Sequence, residues 1–364
     1  MKKLLFYINA LNGGGAERVM SNLSSQFVDK GYEVLFATSY PADGEYELNK
    51  KIKRFNLESE NIPCSKIKRN YVRIKRLRQI CKREKPDVLV AFMAEPNFRA
   101  IIATIGLKTK TVISVRNDPE KEYAGRLMNF VGKYILPMAD GCVFQTEEAK
   151  KWFPKKLQNK STIIFNAVKR EFFEAKRKPV NGLIITCGRL EEQKNHILLI
   201  KAFFNVVKKN PNAYLHIYGE GSLKDYLQSL IDNLGLNHSV KLMGQTNDVV
   251  SVLEKADVFV LSSFYEGMPN ALMEAMAVGV PCIATDCPCG GARMLLNDNN
   301  GILIKNNNID ELTNAMEQLI KDDYKKETLS NKCIETVSEF KAENIFLKWR
   351  EYIEKVVLDE KNKK

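Results

Sequence analysis

The chain has 364 residues, 45% of them hydrophobic and 27% charged, with a formal net charge of +12. This composition excludes a disordered polyelectrolyte and a disulfide-stapled mini-protein, and it fits a globular protein of two domains. No apolar run reaches the roughly 18 residues that a membrane-spanning helix needs.

The opening MKKLLFYINAL has an apolar stretch of only about eight residues and no small-residue cleavage pattern, so it reads as a first buried strand and not as a signal peptide. Gly13, Gly14 and Gly15 follow it and precede a helix that begins near Ala16. A glycine loop there lets backbone amides approach an anion, and the helix N-terminus adds partial positive charge. The same glycines also suit a plain tight turn, and the loop is neither GxGxxG nor a P-loop.

Between Lys50 and Lys85 the pattern predicts a basic amphipathic helix. Ile67, Tyr71, Ile74, Leu77 and Cys81 recur at helical spacing as the docked face, and Arg69, Arg73, Lys75, Arg76, Lys82 and Arg83 take other positions. A solvated outer helix is one reading; attraction to anionic lipid or to a phosphate-bearing substrate is the other. Nucleic acid is disfavoured, since no aromatic-rich RNA motif or zinc-finger spacing accompanies the charge. The surplus is local: residues 1–180 hold 35 basic and 19 acidic side chains, against 21 and 25 in the remainder.

Apolar runs alternate with helical patterns along the chain: LLFYIN, EVLFAT, DVLVAF, TVISV, GCVFQ and TIIF, then GLIITCG, AYLHIYG, VKLMG, DVFVLS, PCIAT and GILI. Strands this apolar, separated by helices, predict an α/β fold of two doubly wound, Rossmann-like domains with parallel sheets. The boundary falls near Asn166 to Asn181, giving domains at 1–170 and 180–340. A last helix, 343–364, carries Phe346, Trp349, Ile353 and Val356 as an apolar stripe that must dock. Eight cysteines at irregular spacings, among them Cys64, Cys142, Cys187 and Cys333, read as reduced thiols and suit the cytoplasm. Cys287 and Cys289 have no second pair at ligand spacing and the chain holds only three histidines, so no metal site is predicted.

Two later stretches carry chemistry. Gly188 to Asn195 (GRLEEQKN) follows a strand and places Arg189 and Lys194 on one loop at the carboxyl edge of a parallel sheet, where a polyanion fits. The alternative is a surface loop whose cations pair with Glu191 and Glu192. Ser262 to Glu274 (SSFYEGMPNALME) runs from a strand through a turn into a helix, so amides from about Met268 to Leu272 should face a bound phosphate. Glu266 precedes that turn and Glu274 lies in the helix, both suited to accepting hydrogen bonds from sugar hydroxyls.

Glu266 and Glu274, with seven residues between them, resemble the Glu-x7-Glu motif of retaining glycosyltransferases of family four, and EGMPNALMEAMAVGVPCIAT resembles that family's nucleotide-sugar signature. The loops GGGAER and GRLEEQKN match in order, so the resemblance runs from Gly13 to Gly301. It implies the GT-B fold, two such domains facing across a cleft, with the last helix crossing back to the first. It also implies that Gly188, Arg189 and Lys194 hold the donor diphosphate, that Glu266 contacts donor-sugar hydroxyls and that Glu274 binds the ribose. The amides of Gly267, Met268, Pro269, Asn270 and Ala271 would line the diphosphate (Pro269 by position only), and Gly14 and Gly15 would close over it. Gly219 and Val249 fall where the family places nucleobase contacts.

The family's usual histidine after the strand TVISV is replaced here by Val115-Arg116-Asn117-Asp118-Pro119. Arg116 is therefore assigned to donor sugar or phosphate, and Asn117 or Asp118 to an acceptor hydroxyl, with a structural Asx-Pro turn as the alternative. The reaction implied is metal-independent hexosyl or N-acetylhexosaminyl transfer from a nucleoside diphosphate sugar, a UDP-sugar by family frequency, without a cofactor. The implied acceptor is a glycan or lipid-linked diphosphate in bacterial surface polysaccharide, capsule or lipopolysaccharide synthesis, reached by a cytoplasmic enzyme in peripheral contact with anionic membrane. A sugar-nucleotide epimerase and a non-catalytic partner subunit are the rivals; a nicotinamide dehydrogenase ranks last, because Gly221 has no third fingerprint glycine after it.

Overall fold

A computed structural model of the chain describes residues 3–12, 14–58 and 65–358. Gly13, Cys64 and the tail beyond 358 lie outside the described residues. The chain divides into two units, one of residues 1–166 and 343–364, the other of residues 167–342.

In the first unit the elements run β1 (Lys3–Ile8), α1 (Gly15–Asp29), β2 (Glu33–Thr38), β3 (Lys53–Asn56), α2 (Lys66–Glu84), β4 (Val88–Phe92), α3 (Ala94–Thr104), β5 (Lys110–Ser114), α4 (Pro119–Glu122) and α5 (Arg126–Phe130). A π-helical turn (Val131–Ile135) and a 3-10 turn (Leu136–Met138) continue α5 before β6 (Gly141–Phe144), α6 (Glu147–Trp152), α7 (Lys155–Gln158) and β7 (Ser161–Ile163). The strands form one parallel sheet in the order β3-β2-β1-β4-β5-β6-β7. Right-handed crossovers then place α2, α3 and α5 on one face and α1 on the other.

Packing follows the pleat. Leu5 and Tyr7 of β1 meet Leu77, Ile80 and Cys81 of α2 and Ala100 and Ala103 of α3, while Phe6 stacks toward Phe27 of α1. The last helix of the chain packs on that second face: Phe346 meets Phe27 at 4.8 Å between ring centroids, Trp349 meets Phe92 at 5.5 Å, and the Tyr352 hydroxyl bonds Cys142. Its apolar stripe thus has a partner in the first sheet.

Two expectations change here. Lys53–Asn56 adds a seventh strand, which its sequence KRFN hides because it is short and charged; those are the marks of a protected edge strand. In α2 the buried face is Arg73, Leu77, Ile80 and Cys81, and Ile67 and Tyr71 are 82% and 65% exposed. Arg73 can turn inward because Glu58 neutralises it, its Nε donating to Oε1 at 2.6 Å. Arg76 donates to the Leu57 carbonyl and Arg78 to those of Ala103 and Ile105, so part of the basic charge ties the helix down.

In the second unit α8 (Arg170–Phe173) precedes β8 (Leu183–Cys187), α9 (His196–Lys209), β9 (Tyr214–Tyr218), α10 (Lys224–Asn233), β10 (Val240–Gly244), α11 (Val249–Glu254) and β11 (Val258–Leu261). Then come α12 (Asn270–Val278), β12 (Cys282–Asp286), α13 (Gly291–Leu295), β13 (Ile302–Lys305), α14 (Ile309–Lys321) and α15 (Asp323–Val337). The helix α16 (Ala342–Leu358) is the last of the chain and lies with the first unit from Glu343 onward. The second sheet is parallel, in the order β10-β9-β8-β11-β12-β13. Its core joins Ile184, Leu215, Ile217, Val258 and Val260 to Leu199 and Phe203 of α9 and Leu312 and Met316 of α14. Residues 167–179 belong to this unit, with α8 against α12.

Candidate active site

At the carboxyl edge of the second sheet the loops after β8, β9 and β10 are joined backbone to backbone. The Gly188 amide donates to the Tyr218 carbonyl, that of Leu190 to Glu220, and that of Gly219 to Gly244, at 2.9 Å each. Gly219 has φ +147°, and a Cβ there would overlap the Gly188 carbonyl oxygen, so the approach requires glycine. The next residues form a 3-10 turn (Glu192–Lys194) that ends at Asn195, whose left-handed φ of +48° and Oδ1, accepting from the Leu198 amide, start α9.

That turn directs Lys194 across the sheet edge. Its Nζ lies 2.5 Å from Glu266 Oε1, which also accepts from the Ser263 hydroxyl at 2.8 Å. Both side chains are largely buried, at 17% and 8% exposure, so each charge depends on the other. Glu191, by contrast, accepts from the Ser222 amide and hydroxyl, so it is not the partner of Lys194. Arg189 is exposed, with Nη2 3.3 Å from Gln193 Oε1. Beneath the loop, His196 faces the Arg189 carbonyl, and burial pushes its pKa down to about 4, so it stays neutral.

The turn holding Glu266 is clamped from β12: its amide donates to the Pro288 carbonyl at 2.7 Å, and the Cys289 amide donates to the Glu266 carbonyl at 3.0 Å. A Cβ on Gly291 would overlap the Gly267 carbonyl oxygen. Pro269 stands at the N-cap of α12 and makes no side-chain cap bond, so no capping side chain closes off that helix start. Asn270 and Ala271 are half-buried there, whereas Met268 and Pro269 are buried. Glu274, 7% exposed, lies close enough to Cys187 at the end of β8 to add to the effect of burial, which pushes that thiol up to about 12. Val249 opens α11 behind Asp248, which caps it through the Ser251 amide. The second unit therefore brings Lys194 and Glu266 into contact, and Gly188 and Gly219 into register.

The remaining candidates are in the first unit. Gly14 precedes α1 and Gly15 opens it, but the Glu17 carboxylate lies against Gly14, so an acid already occupies the space above that helix start. Arg116 follows β5 and is 8% exposed, its Nη1 donating to Asn166 Oδ1 at 3.0 Å and its guanidinium 4.1 Å from the Phe92 ring centroid. Nε and Nη2 have no hydrogen-bond partner among the described residues, and burial lowers the pKa to about 9. Asp118 accepts from the Glu120 amide and caps α4, the Asx-Pro turn; Asn117 is half-buried beside it.

Sequence reasoning missed several contributors. Ser263 and Asn195 carried only the weak signal of polar residues beside a motif, and Gly290-Gly291 carried none, since its packing on the Gly267 carbonyl is a tertiary contact. Glu122 gave none: its Oε1 accepts from the Ala94 amide, its Oε2 is buried without a hydrogen-bond partner among the described residues, and desolvation lifts its pKa to about 7.

Residues 13–172 match the family described as Glycosyltransferase Family 4, and residues 168–337 match Glycosyl transferases group 1. The chain is 33% identical over 296 residues to an uncharacterized glycosyltransferase of Methanocaldococcus jannaschii, covering 73% of this chain and 72% of that one. It is 26% identical to a Campylobacter jejuni alpha-1,4-N-acetyl-D-galactosaminyltransferase named for a diphospho-undecaprenol-linked acceptor, covering 98% and 99%. Among solved structures, Anabaena HepE in complex with UDP and glucose superposes with a TM-score of 0.82 at 18% identity, covering 98% and 100%, a likeness of fold.

Proposed function

From the premise that this chain belongs to the family 4 glycosyltransferases, we propose that it transfers a sugar, with retention at the anomeric carbon, from a UDP-sugar to a hydroxyl of a lipid-linked diphosphate glycan. The observation that carries this reading is the Lys194–Glu266 pair, fixed by Ser263 at the edge of a parallel sheet beside the start of α12. Lys194 and Arg189 take the donor diphosphate, and the amides around Gly267 to Ala271 share its charge as the bond to the sugar breaks. Pro269 contributes shape and no hydrogen bond.

Glu266 receives the hydroxyls of the donor sugar, and Glu274 those of the ribose. Because Lys194 already neutralises Glu266, a diphosphate that draws Lys194 toward itself frees carboxylate lone pairs for the sugar. Gly219 and Val249 bound the base. The departing phosphate oxygen takes the acceptor proton on the same face, so the chemistry does not depend on an imidazole after β5. Arg116 supplies a cation there instead, Gly14 and Gly15 present backbone to the donor once the Glu17 side chain swings aside, and Asn117 is the candidate for an acceptor hydroxyl. Asp118 serves the turn. Cations and amides suffice for the charge, so the reaction needs no metal ion or cofactor.

The acceptor reading is supported by the Campylobacter relative and by the basic first unit. The exposed Ile67 and Tyr71 of α2, flanked by Lys66, Lys68 and Lys75, suit a peripheral contact with an anionic membrane surface from the cytoplasmic side. Among the described residues no helix is long and apolar enough to cross a membrane. The test is transfer from a panel of UDP-hexoses and UDP-N-acetylhexosamines to synthetic polyprenyl-diphosphate glycans, with the new anomeric configuration read by NMR. An α-linked product from an α-linked donor is expected; inversion would refute the mechanism, and failure with every UDP-sugar but success with a GDP-sugar would refute the donor.

A further inference from the structure

The turn that carries Glu266 is gripped at the two residues before it. Phe264 and Tyr265 are half-buried, and each of their carbonyls accepts from an amide side chain: Asn306 Nδ2 donates to Phe264 at 2.8 Å and Gln193 Nε2 donates to Tyr265 at 3.0 Å. The Phe264 amide donates to the Gln193 carbonyl at 2.8 Å, so Gln193 holds the strip with backbone and side chain together. Its Oε1 meanwhile accepts from Arg189 Nη2. A primary amide offers a donor on one side and an acceptor on the other, and here one such group links the cation assigned to the diphosphate with the turn of the carboxylate assigned to the sugar.

Asn306 comes from the loop after β13, which the sequence marks only by three successive asparagines. Two of them serve their own backbone. Asn308 caps α14 by accepting from the Glu311 amide at 3.0 Å, and Asn307 takes the left-handed φ of +58°. Asn306 is different, because its Oδ1 is buried without a hydrogen-bond partner among the described residues. An unpaired buried acceptor costs stability, and an apolar side chain would fill the same space without that cost. What the position keeps is the bond from Nδ2 to Phe264, and local conflicts of this kind are expected where function sets the geometry.

We propose that Asn306 and Gln193 are positioning residues of the donor site: they fix Glu266 through the carbonyls of Phe264 and Tyr265, and Gln193 also ties Arg189 to the same turn. The inference rests on the donor reading of this edge and deepens it. Asn306 governs the carboxylate alone, whereas Gln193 governs both carboxylate and cation. Removing them one at a time should therefore separate the handling of the sugar from that of the diphosphate.

The test compares UDP affinity, by calorimetry, with kcat for the UDP-sugar that the native chain uses in the transfer panel. Asn306→Asp keeps the shape and sets a carboxylate oxygen against the Phe264 carbonyl; kcat should fall about tenfold or more while the UDP Kd stays within about twofold. Gln193→Met, similar in length and without the amide, should lower kcat to a like extent and weaken UDP about three- to fivefold. In an Arg189→Ala background, Gln193→Met should leave UDP affinity where Arg189→Ala put it and still lower kcat. Native kcat in Asn306→Asp, or equal losses of kcat and UDP affinity, would overturn the role of Asn306; additive losses of UDP affinity in the double variant would overturn the link through Arg189. Should Asn306→Asp fail to melt cooperatively, Asn306→Ala, which removes the donor and adds no charge, carries the same expectation. Glu266→Ala separates the inference from the reading beneath it. If that variant loses transfer and Asn306→Asp does not, Asn306 serves the fold only and the donor site stands; if Glu266→Ala keeps its rate, or the native chain uses no UDP-sugar, both fall.

Discussion

The carboxyl edges of the two sheets handle charge in opposite ways. In the second unit the key cation is already spoken for, with Lys194 against Glu266 and Ser263 completing the carboxylate's shell. In the first, Arg116 is buried and meets no carboxylate among the described residues, its Nη1 donating to Asn166 Oδ1. An anion at the second edge must therefore exchange partners, whereas one at the first simply adds to standing charge. The contrast suits one edge that must stay ordered when empty and another whose buried cation gains most when an anion arrives.

The sharpest way to break this contrast is to remove the pair. Glu266→Ala strands the Lys194 charge and removes the proposed sugar contact, and its turnover should fall by about 10²- to 10³-fold, in the range seen when one preorganised charge-stabilising group is lost. Glu266→Gln, which keeps one acceptor oxygen, should retain more of the rate. Initial rates with saturating donor decide it; an undiminished Glu266→Ala would leave the second edge without its proposed role.

Rigidity should differ as well. At Gly219 an added methyl meets the Gly188 carbonyl, which is backbone tied into three loops, so Gly219→Ala should cost about 2–3 kcal/mol in urea unfolding. At Gly14 the added methyl meets only the end of the Glu17 side chain, which can swing aside, and Gly14→Ala should stay within about 0.5 kcal/mol. Equal losses would mean that the two glycine loops are built alike.

Acid and base should also act on the two units in opposite directions. Burial depresses His196 to about 4, so its neutral form favours the fold above the ordinary 6.5 and that stability is lost as pH falls toward 4. Burial raises Glu122 from 4.5 to about 7, so its contribution is present below 4.5 and is lost as pH rises through 7. His196→Asn should flatten the acid side of the stability profile and Glu122→Gln the neutral side, each by about 1–2 kcal/mol, read from denaturation midpoints between pH 4 and 8. If Glu122→Gln left the neutral side unchanged, Glu122 would not be a strained acid in the native state.

The alternation of apolar runs and helical patterns made both sheets legible, because strands buried on two faces must be apolar along their whole length. The donor-edge motifs were legible for a related reason: GRLEEQKN and EGMPNALME concentrate turn chemistry and charge between a strand and a helix. What could not be read were features that exist only across long sequence separations. Glu58 reaching Arg73 turned α2 on its axis, the Cys289–Gly291 loop holds Glu266 from an element read for other reasons, and Glu122 acquires its character only from burial against the start of α3. Periodicity could place Ile67 and Tyr71 on a stripe; it could not decide that a paired arginine would displace them from the core.

That displacement gives the smallest predicted effect. In the first unit Leu127, Phe130, Tyr134 and Met138 follow one another along α5 and its continuation at 74%, 52%, 63% and 49% exposure, with Arg126 and Lys133 among them and no acid between 126 and 138. Helix α3 packs between this segment and α2, so the row and the exposed Ile67 and Tyr71 belong to one helical layer. In the second unit the large exposed apolar side chains, such as Tyr214, Tyr226 and Tyr324, are scattered singly, as on most surfaces. A row of rings and aliphatic groups in a stretch whose only charges are cations fits the boundary of an anionic bilayer, where each partly inserted side chain adds about 1 kcal/mol. Phe130→Ser and Tyr134→Ser should each weaken sedimentation with phosphatidylglycerol vesicles about three- to tenfold, and Tyr226→Ser should not. A Tyr226→Ser loss equal to the other two would show that vesicle binding follows general hydrophobicity, and the difference between the two units would then concern phosphate alone.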